Sequence, residues 1–264
     1  MTPLRLVAGV PAAARATGRI AGTGAAAVEA GARLGEIRRH RGEQPGARRE
    51  RALLMRELFA RIAALHGVEV EVDGARPRGP CIVASNHVSW LDPIVIGGLA
   101  PCVPISKLDV SAWPIVGGLA RELGVLFVER GDARSGMRVI RGASRALGDG
   151  LAVLNFPEGT TTRGDRVLPF RAGLFALARS AGAPVVPAAV AYDPPGLAWV
   201  GDDTFLPHYL RLAGSSRTQA VIRFSVPILP RAYRTAAELA AAARARVEAL
   251  LSGGLGDDQT RAGA

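Results

Sequence analysis

His87 and Asp92 stand five residues apart in the segment SNHVSWLD. His87 follows an apolar run typical of a buried strand, and Asp92 precedes Pro93 at the predicted start of a helix. A turn between strand and helix can bring the carboxylate to one ring nitrogen of His87, which leaves the other nitrogen as a base. The structural alternative is that Asp92 caps its helix and His87 is hydrogen-bonded at a strand end. The two are compatible because a carboxylate has two oxygens.

A second polar junction is the segment NFPEGTTTRG, which follows another apolar run. Its acid, Glu158, stands directly before Gly159, a residue that permits close backbone approach to a ligand. The threonines that follow, among them Thr160 and Thr161, supply donors for a polar or anionic group together with Arg163. An ordinary turn is the alternative interpretation of this loop.

A third polar junction is VERGD, where Arg130 follows the apolar run GVLFVE. A surface ion pair of Arg130 with Glu129 or Asp132 is the alternative interpretation here. Strand ends carry the functional loops of open α/β sheets. Three polar strand ends in one chain therefore indicate a single site.

Strands and helices alternate along the sequence. Apolar or alternating runs predict strands at residues 68–74, 81–86, 124–129, 151–156, 183–192 and 220–229. Helical spacing predicts helices at residues 51–66, 92–100, 133–147 and 171–182, and a last helix that ends at residue 251 behind a capping box of Thr235 and Glu238. This order predicts an α/β fold, with a mostly parallel or mixed sheet flanked by helices, in a single catalytic domain with a basic N-terminal extension.

The charge of the chain is strongly basic. Lys and Arg number 33 against 23 acidic residues, which gives +10, and much of the excess lies near the N-terminus. Such a surface suits anionic lipid or nucleic acid, or it reflects an arginine-rich solvated surface. No RNA-recognition signature, zinc finger or helix-turn-helix pattern accompanies it, so we expect no nucleic-acid partner. A non-catalytic basic protein that binds membrane or nucleic acid is a distant alternative, because it leaves the polar strand ends unexplained.

The sequence divides into three predicted parts: a basic Ala-, Gly- and Arg-rich segment at residues 1–50, the catalytic domain at 51–251, and a flexible tail at 252–264. Glycines in residues 1–35 argue against a stable helix, and residues 36–50 are typical of a linker or a surface-seeking segment. The helix at 51–66 is a candidate for membrane contact through Leu53, Leu54, Leu58 and Phe59, with packing against the sheet as the alternative.

Apolar stretches and cysteines indicate where the protein is located and whether it binds a metal or a cofactor. No stretch of 18 residues is apolar enough to predict a membrane span, and the N-terminus lacks the apolar core of a secretory signal, so we expect an intracellular protein. Cys81 and Cys102 have no metal-ligand spacing, and we expect buried, inert thiols. We expect neither a metal site nor a cofactor.

Four segments together resemble a known family. NHVSWLD is similar to the His-x4-Asp motif of the glycerolipid acyltransferases typified by 1-acylglycerol-3-phosphate acyltransferase. GVLFVERG, FPEGTTT and VVPAAVAY resemble the second, third and fourth blocks of that family, in the family's order. The resemblance covers roughly residues 65–195, about half of the chain.

The resemblance implies a direct acyl transfer without an acyl-enzyme. His87 is then the general base that takes the proton from the acceptor hydroxyl, and Asp92 orients it. Arg130 and the loop of Glu158 and Gly159 would bind the acceptor head group, with Lys107 adding positive charge. The implied partners are an acyl-CoA or acyl carrier protein donor, a lysolipid acceptor and an anionic membrane, contacted peripherally at the cytoplasmic face of the cell membrane.

One position departs from the pattern of the lysophosphatidate enzymes. Many of these carry an arginine, a natural phosphate ligand, two residues after the loop glycine, where this chain has Thr161. Arg163 or Arg171 could replace it if the loop folds inward. The resemblance predicts 1-acylglycerol-3-phosphate as acceptor, giving phosphatidic acid. The threonine-rich loop and RVLPFRAGLFALA also resemble acyltransferases of lyso-ornithine lipid, the alternative acceptor.

Overall fold

The short apolar runs of the sequence form the centre of one mixed sheet. A computed structural model describes residues 11–42, 44–193, 197–201 and 203–253. Within these ranges the strands are β1 (Val68–Asp73), β2 (Ile82–Ser85), β3 (Cys102–Lys107), β4 (Leu126–Val128), β5 (Ala152–Asn155), β6 (Val185–Asp193) and β7 (Thr218–Phe224). They form a seven-stranded sheet in the order β1-β7-β6-β2-β5-β3-β4. Neighbouring strands are parallel except for the antiparallel pair β6 and β7.

Helices cover both faces of the sheet. In the described part of the chain they are α1 (Ala12–Arg41), α2 (Pro45–Leu65), α3 (Asp92–Gly97), α4 (Val116–Leu123), α5 (Ala133–Gly148), α6 (Gly173–Ala181), α7 (Phe205–Gly214) and α8 (Ala236–Leu251). The buried strand β2 alternates between two cores: Val83 packs in one and Ile82 in the other. Burial on both faces explains why β2 and β5 are continuous apolar runs. The predicted α/β fold with a mixed sheet is confirmed.

Five parallel strands end at the same edge of the sheet. Strands β2, β3, β4 and β5 run in one direction, as does β6 beside β2. The segments that follow them therefore meet at one edge, and these segments contain the polar junctions of the sequence. We call this edge the carboxyl edge of the sheet.

The N-terminal region differs from its prediction. Helix α1 is 30 residues long despite its glycines, and α2 begins at Pro45, inside the predicted linker. Packing overrides the low helix propensity: Ala26, Ala30 and Leu34 of α1 are buried against α2, and Arg19 donates hydrogen bonds to three backbone carbonyls at the end of α7. The division at residue 50 stays a prediction, but it falls inside α2. Residues 254–264 of the predicted tail lie outside the described residues.

The apolar residues of α2 that were candidates for membrane contact are packed inside the protein. Leu54 and Leu58 are 3% and 4% exposed, and Phe59 packs against the same cluster. The expectation that Leu54 and Leu58 face a membrane is wrong, because the helix buries them against α1. None of the helices in the described part of the chain is both long enough and apolar enough to cross a membrane.

Three elements were not predicted from the sequence. Strand β3 contains Pro104, a residue that argues against a central strand. Helices α4 and α7 are short, with 8 and 10 residues. Strand β7 ends at Phe224, earlier than predicted, although Ile228 still pairs with Val185 through an isolated bridge.

The two cysteines are free and buried as predicted. Burial raises the pKa of Cys81 to about 11 and that of Cys102 to about 12.

Candidate active site

The turn between β2 and α3 brings His87 and Asp92 into direct contact. His87 Nδ1 and Asp92 Oδ2 are 2.7 Å apart. The Asp92 side chain is fully buried, while the His87 side chain is 21% exposed. Because a carboxylate only accepts hydrogen bonds, His87 donates through Nδ1, and Nε2 of the neutral ring is left without a proton. His87 is therefore arranged as a base with one nitrogen available.

Asp92 organises the turn as well as the ring. Its Oδ2 also accepts hydrogen bonds from the backbone N–H groups of Val88 at 2.7 Å and Ser89 at 2.9 Å. Its Oδ1 accepts a hydrogen bond of 2.6 Å from the hydroxyl of Tyr192 at the end of β6. The expected N-cap at Asp92 is wrong: Leu91 occupies that position and Asp92 lies in the first turn of α3. The carboxylate instead holds the turn that precedes the helix.

The ring of His87 also stacks on an aromatic side chain. It stacks on Phe156, which follows β5, with the ring centroids 4.3 Å apart and the planes inclined by 22°. The hydrogen bond to Asp92 and this stacking together define the plane of the imidazole. Phe156 and Tyr192 were not identified from the sequence, because no local pattern links them to His87.

Glu158 supports the backbone of the histidine turn. Its Oε1 accepts the N–H of His87 at 2.8 Å, and its Oε2 accepts the N–H of Leu168 at 2.8 Å. Burial raises the pKa of the Glu158 carboxyl, and the two backbone hydrogen bonds oppose this shift. Both oxygens of Glu158 hold loops together, and head-group binding by the loop of Glu158 and Gly159 stays a prediction.

Gly159 has the close approach expected of it, and the approaching group is Arg171. Gly159 has φ +71°, a conformation that favours glycine. A Cβ atom here would lie 2.8 Å from Nε of Arg171. The backbone N–H of Arg171 donates to the carbonyl of Pro157 at 3.0 Å. The inward fold of the loop thus brings Arg171 to Gly159.

Lys107 and Arg130 lie with Arg171 at the carboxyl edge. Lys107 is the last residue of β3, and Arg130 follows β4, its parallel neighbour. The pKa of Arg130 is lowered by burial and then by Arg171, and that of Lys107 by burial and then by Arg130. Asp109 opposes both shifts. We call Lys107, Arg130 and Arg171 the cationic group.

Asp132 caps a helix instead of forming the alternative ion pair with Arg130. Asp132 is the N-cap of α5, where its carboxylate accepts the N–H groups of Arg134 and Ser135 at 2.9 Å and 3.1 Å. The second carboxylate, Glu129, is exposed and follows the end of β4. The capping role of Asp132 leaves Arg130 as a neighbour of the other cations.

The threonines of the loop have separate roles. The Thr161 hydroxyl donates to the backbone carbonyl of Trp199. Thr162 is buried, and its N–H donates to the carbonyl of His87 at 2.8 Å. Thr160 and Arg163 are exposed. The structure therefore assigns internal hydrogen bonds to Thr161 and Thr162, and brings Arg171 to Gly159.

The chemistry of this arrangement is proton transfer beside a cationic group. Ser89 is fully buried, and its hydroxyl oxygen lies 3.4 Å from the N–H of Leu91, so it is not placed as a nucleophile. Across the described ranges 11–42, 44–193, 197–201 and 203–253, no three His, Cys, Asp or Glu side chains are grouped to hold a metal ion. The site thus offers one base, its buried carboxylate and a group of cations.

Comparisons with known proteins identify the family of the chain. Residues 67–191 match a family model described as Acyltransferase. The chain is 38% identical over 216 residues to a lyso-ornithine lipid O-acyltransferase of Pseudomonas aeruginosa, which covers 80% of this chain and 83% of the relative. It is 35% identical over 146 residues to a 1-acyl-sn-glycerol-3-phosphate acyltransferase of Neisseria meningitidis, covering 54% of this chain and 56% of the relative.

A solved structure shares the fold. The crystal structure of the 1-acyl-sn-glycerophosphate acyltransferase PlsC from Thermotoga maritima aligns with a TM-score of 0.61 at 22% identity. The alignment covers 84% of this chain and 87% of that chain. The likeness therefore extends over most of both molecules.

Proposed function

The chain belongs to the acyltransferase family, and from this premise we propose that it transfers a fatty acyl group from an acyl thioester to the hydroxyl of a lysolipid, with His87 as the general base. The observation that carries the proposal is the 2.7 Å contact between His87 Nδ1 and the buried Asp92 carboxylate. This contact leaves Nε2 as the proton acceptor of a ring whose side chain is 21% exposed.

The reaction is a direct transfer. His87 Nε2 takes the proton of the acceptor hydroxyl while the hydroxyl oxygen attacks the thioester carbonyl carbon. The tetrahedral intermediate collapses by breaking the carbon–sulfur bond, and the leaving thiolate takes the proton back from His87. Asp92 stabilises the imidazolium that exists between these two proton transfers. The products are an ester and a free thiol, and His87 is neutral again.

The acceptor that we propose is lyso-ornithine lipid. The hydroxyl of Thr161 is bonded to the carbonyl of Trp199, so the position of the arginine in many lysophosphatidate enzymes supplies no group to an anion here. The alignment with the lyso-ornithine lipid enzyme also extends further along the chain than that with the lysophosphatidate enzyme. The ornithine head group carries a carboxylate and an ammonium, and it would find cations and Asp109 at one edge.

A second acceptor, 1-acylglycerol-3-phosphate, is favoured by a different observation. Arg171 lies close enough to lower the pKa of Arg130, and Arg130 close enough to lower that of Lys107. A phosphate dianion would neutralise more of this charge than a carboxylate does. The two acceptors therefore differ in how much they depend on the cationic group and on Asp109.

The donor and the location complete the proposal. An acidic acyl carrier protein suits the basic surface, and acyl-CoA would supply the same thioester. We propose a peripheral enzyme at the cytoplasmic face of the cell membrane, where a lysolipid acceptor is embedded. The net charge of +10 supports contact with anionic lipid.

The test is an acceptor panel with thiol release as the readout. Lyso-ornithine lipid and lysophosphatidate are each combined with acyl-CoA and with acyl carrier protein, so that one experiment also identifies the donor. We expect the higher kcat/KM with lyso-ornithine lipid. A higher kcat/KM with lysophosphatidate would reverse the assignment of the acceptor, and no release with either lysolipid would contradict the proposed function.

Variants separate the two head groups. Arg171→Ala should raise the KM for the preferred acceptor roughly tenfold, as expected for one charge-assisted contact. Asp109→Asn should raise the KM for lyso-ornithine lipid but lower that for lysophosphatidate, because only the first has an ammonium. Arg179→Ala, exposed on α6, is the matched control for loss of a surface arginine. Equal effects of Asp109→Asn on both acceptors would contradict recognition of the ammonium.

A further inference from the structure

Two separate segments expose large apolar side chains. Between β3 and α4, Leu108, Ile115 and Val116 are 39%, 80% and 42% exposed. On α7, Leu206 and Leu210 are 61% and 43% exposed, and their spacing of four residues places them on one stripe of the helix. We call these five residues the apolar rim.

Aromatic contacts join the two segments into one surface. The rings of Trp113 and Phe205 lie 4.4 Å apart, so the segment that holds Ile115 packs directly on the first turn of α7. Trp113 also meets Trp199, with the centroids 6.1 Å apart. Both rings are partly buried, and Ile115 lies two residues after Trp113.

The rim lies beside the histidine turn. Residues 108–116 directly follow β3, and Trp199 comes after β6, so both belong to the carboxyl edge. The N–H of Trp199 donates to the carbonyl of Val88, the neighbour of His87, at 2.9 Å. Contacts through Trp113 and Trp199 therefore connect the segment that holds the rim to the histidine turn.

Ile115 is the most exposed residue of the rim, and its backbone is strained. It has φ +63° and ψ −56°, and the N–H of Val116 donates to the carbonyl of Pro114 at 2.6 Å. This is the rare γ-turn with positive φ, which is unfavourable for a β-branched residue. Neither the exposure nor the strain stabilises the fold, so both indicate a role outside it.

We propose that the apolar rim is the surface through which the protein docks on an anionic phospholipid bilayer. The charged residues next to the rim in the sequence are Lys107, Asp109 and Arg211, and their net positive charge suits insertion of the rim at a negatively charged surface. Docking in this orientation places the histidine turn at the interface that holds a lysolipid. The use of that lysolipid rests on the proposed function, whereas the docking itself does not.

The test is co-sedimentation of the full-length protein with vesicles of phosphatidylglycerol and phosphatidylcholine. The double variants Ile115→Ser/Val116→Ser and Leu206→Ser/Leu210→Ser should each weaken vesicle binding about tenfold or more. Val226→Ser, which is 61% exposed like Leu206, and Val28→Ser, 75% exposed on α1, are the matched controls and should bind within about twofold of wild type. Wild-type binding by both double variants would overturn the proposal.

One further variant, Ile115→Gly, separates the side chain of Ile115 from the strain of its backbone. Ile115→Gly relieves the positive-φ strain while it removes the side chain, so it should raise thermal stability and still weaken vesicle binding. A loss of binding with Val28→Ser and not with the rim variants would assign docking to α1 and also overturn the proposal. Unchanged vesicle binding by Ile115→Gly would contradict insertion of Ile115.

A soluble assay separates this inference from the proposed reaction. With a short-chain lysolipid dissolved below its micellar concentration, both double variants should retain wild-type thiol release. If they bind vesicles weakly but the wild type shows no release, docking stands and the proposed function fails. If release is normal and the double variants bind vesicles like wild type, the function stands and docking fails.

Discussion

The hydroxyl of Tyr192 donates a hydrogen bond of 2.6 Å to Asp92 Oδ1, the oxygen that does not face His87. Burial and the adjacent carboxylate raise the pKa of Tyr192 well above its ordinary value of 10.0, so the phenol remains a donor at neutral pH. Asp92 is thereby bonded through both oxygens, with His87 on one side and Tyr192 on the other. Tyr192 is a positioning residue for the pair.

Tyr192→Phe should lower kcat roughly tenfold and leave the KM for the acceptor unchanged, because the carboxylate loses one fixed contact but the substrate loses none. The free energy of unfolding should fall by about 1–3 kcal/mol, since Asp92 Oδ1 is left buried without its donor. Steady-state kinetics and urea unfolding measure the two effects. Tyr233→Phe, remote from Asp92, is the control, and an equal fall of kcat in both variants would contradict a specific role of Tyr192.

Gly159→Ala should destabilise the protein by about 1–3 kcal/mol, because alanine at φ +71° is strained and its Cβ would lie 2.8 Å from Nε of Arg171. The displaced Arg171 should raise the KM for the acceptor. Gly136→Ala in α5 has open space around the new methyl group and should stabilise the protein by about 0.5–1 kcal/mol. Thermal unfolding of both variants checks the contrast, and equal stability of Gly159→Ala and wild type would contradict the strain and the close approach of Arg171.

Stability should decrease as the pH falls below 6.5 because of His208. Its Nδ1 accepts a hydrogen bond of 2.9 Å from Trp90 Nε1, and burial, followed by Arg211, lowers its pKa from the ordinary value of 6.5. Since the unfolded chain binds the proton more readily, the stabilisation is complete above pH 6.5 and is lost as the pH falls towards the folded pKa.

The measurement is the free energy of unfolding between neutral and mildly acidic pH. His208 Nε2 also donates to the carbonyl of Leu197 at 3.2 Å. His208→Gln can keep this hydrogen bond and the one from Trp90 without titrating, so it should reduce the slope, which is at most about 1.4 kcal/mol per pH unit for one group. Burial also lowers the pKa of His66, which should retain part of the slope in this variant. The same pH dependence in wild type and His208→Gln would rule out His208 as its origin.

The pair of His87 and Asp92 was predictable because its chemistry is local. Both residues lie within one turn, and the strand before them and the helix after them are apolar runs with clear ends. The sheet was predictable for the same reason, apart from β3, in which Pro104 breaks the strand pattern. Pairing of His87 with Asp92 is confirmed as a contact, and its role in catalysis stays a prediction.

The supporting residues were not predictable from local patterns. Tyr192 is 100 residues from Asp92, and Arg171 reaches Gly159 only because the loop folds back. The roles of Thr161 and Glu158 also depend on partners from distant segments. The length of α1 could not be predicted either, because its stability comes from packing on α2 and α7 rather than from its composition.

The most direct test of the central claim is thiol release by His87→Ala with acyl thioester and lysolipid. Loss of the general base should lower kcat by about a hundredfold or more, while the thermal unfolding temperature stays close to that of wild type. His40→Ala, exposed on α1, is the matched control and should keep full activity. A folded His87→Ala protein with wild-type turnover would contradict the assignment of His87 as the base.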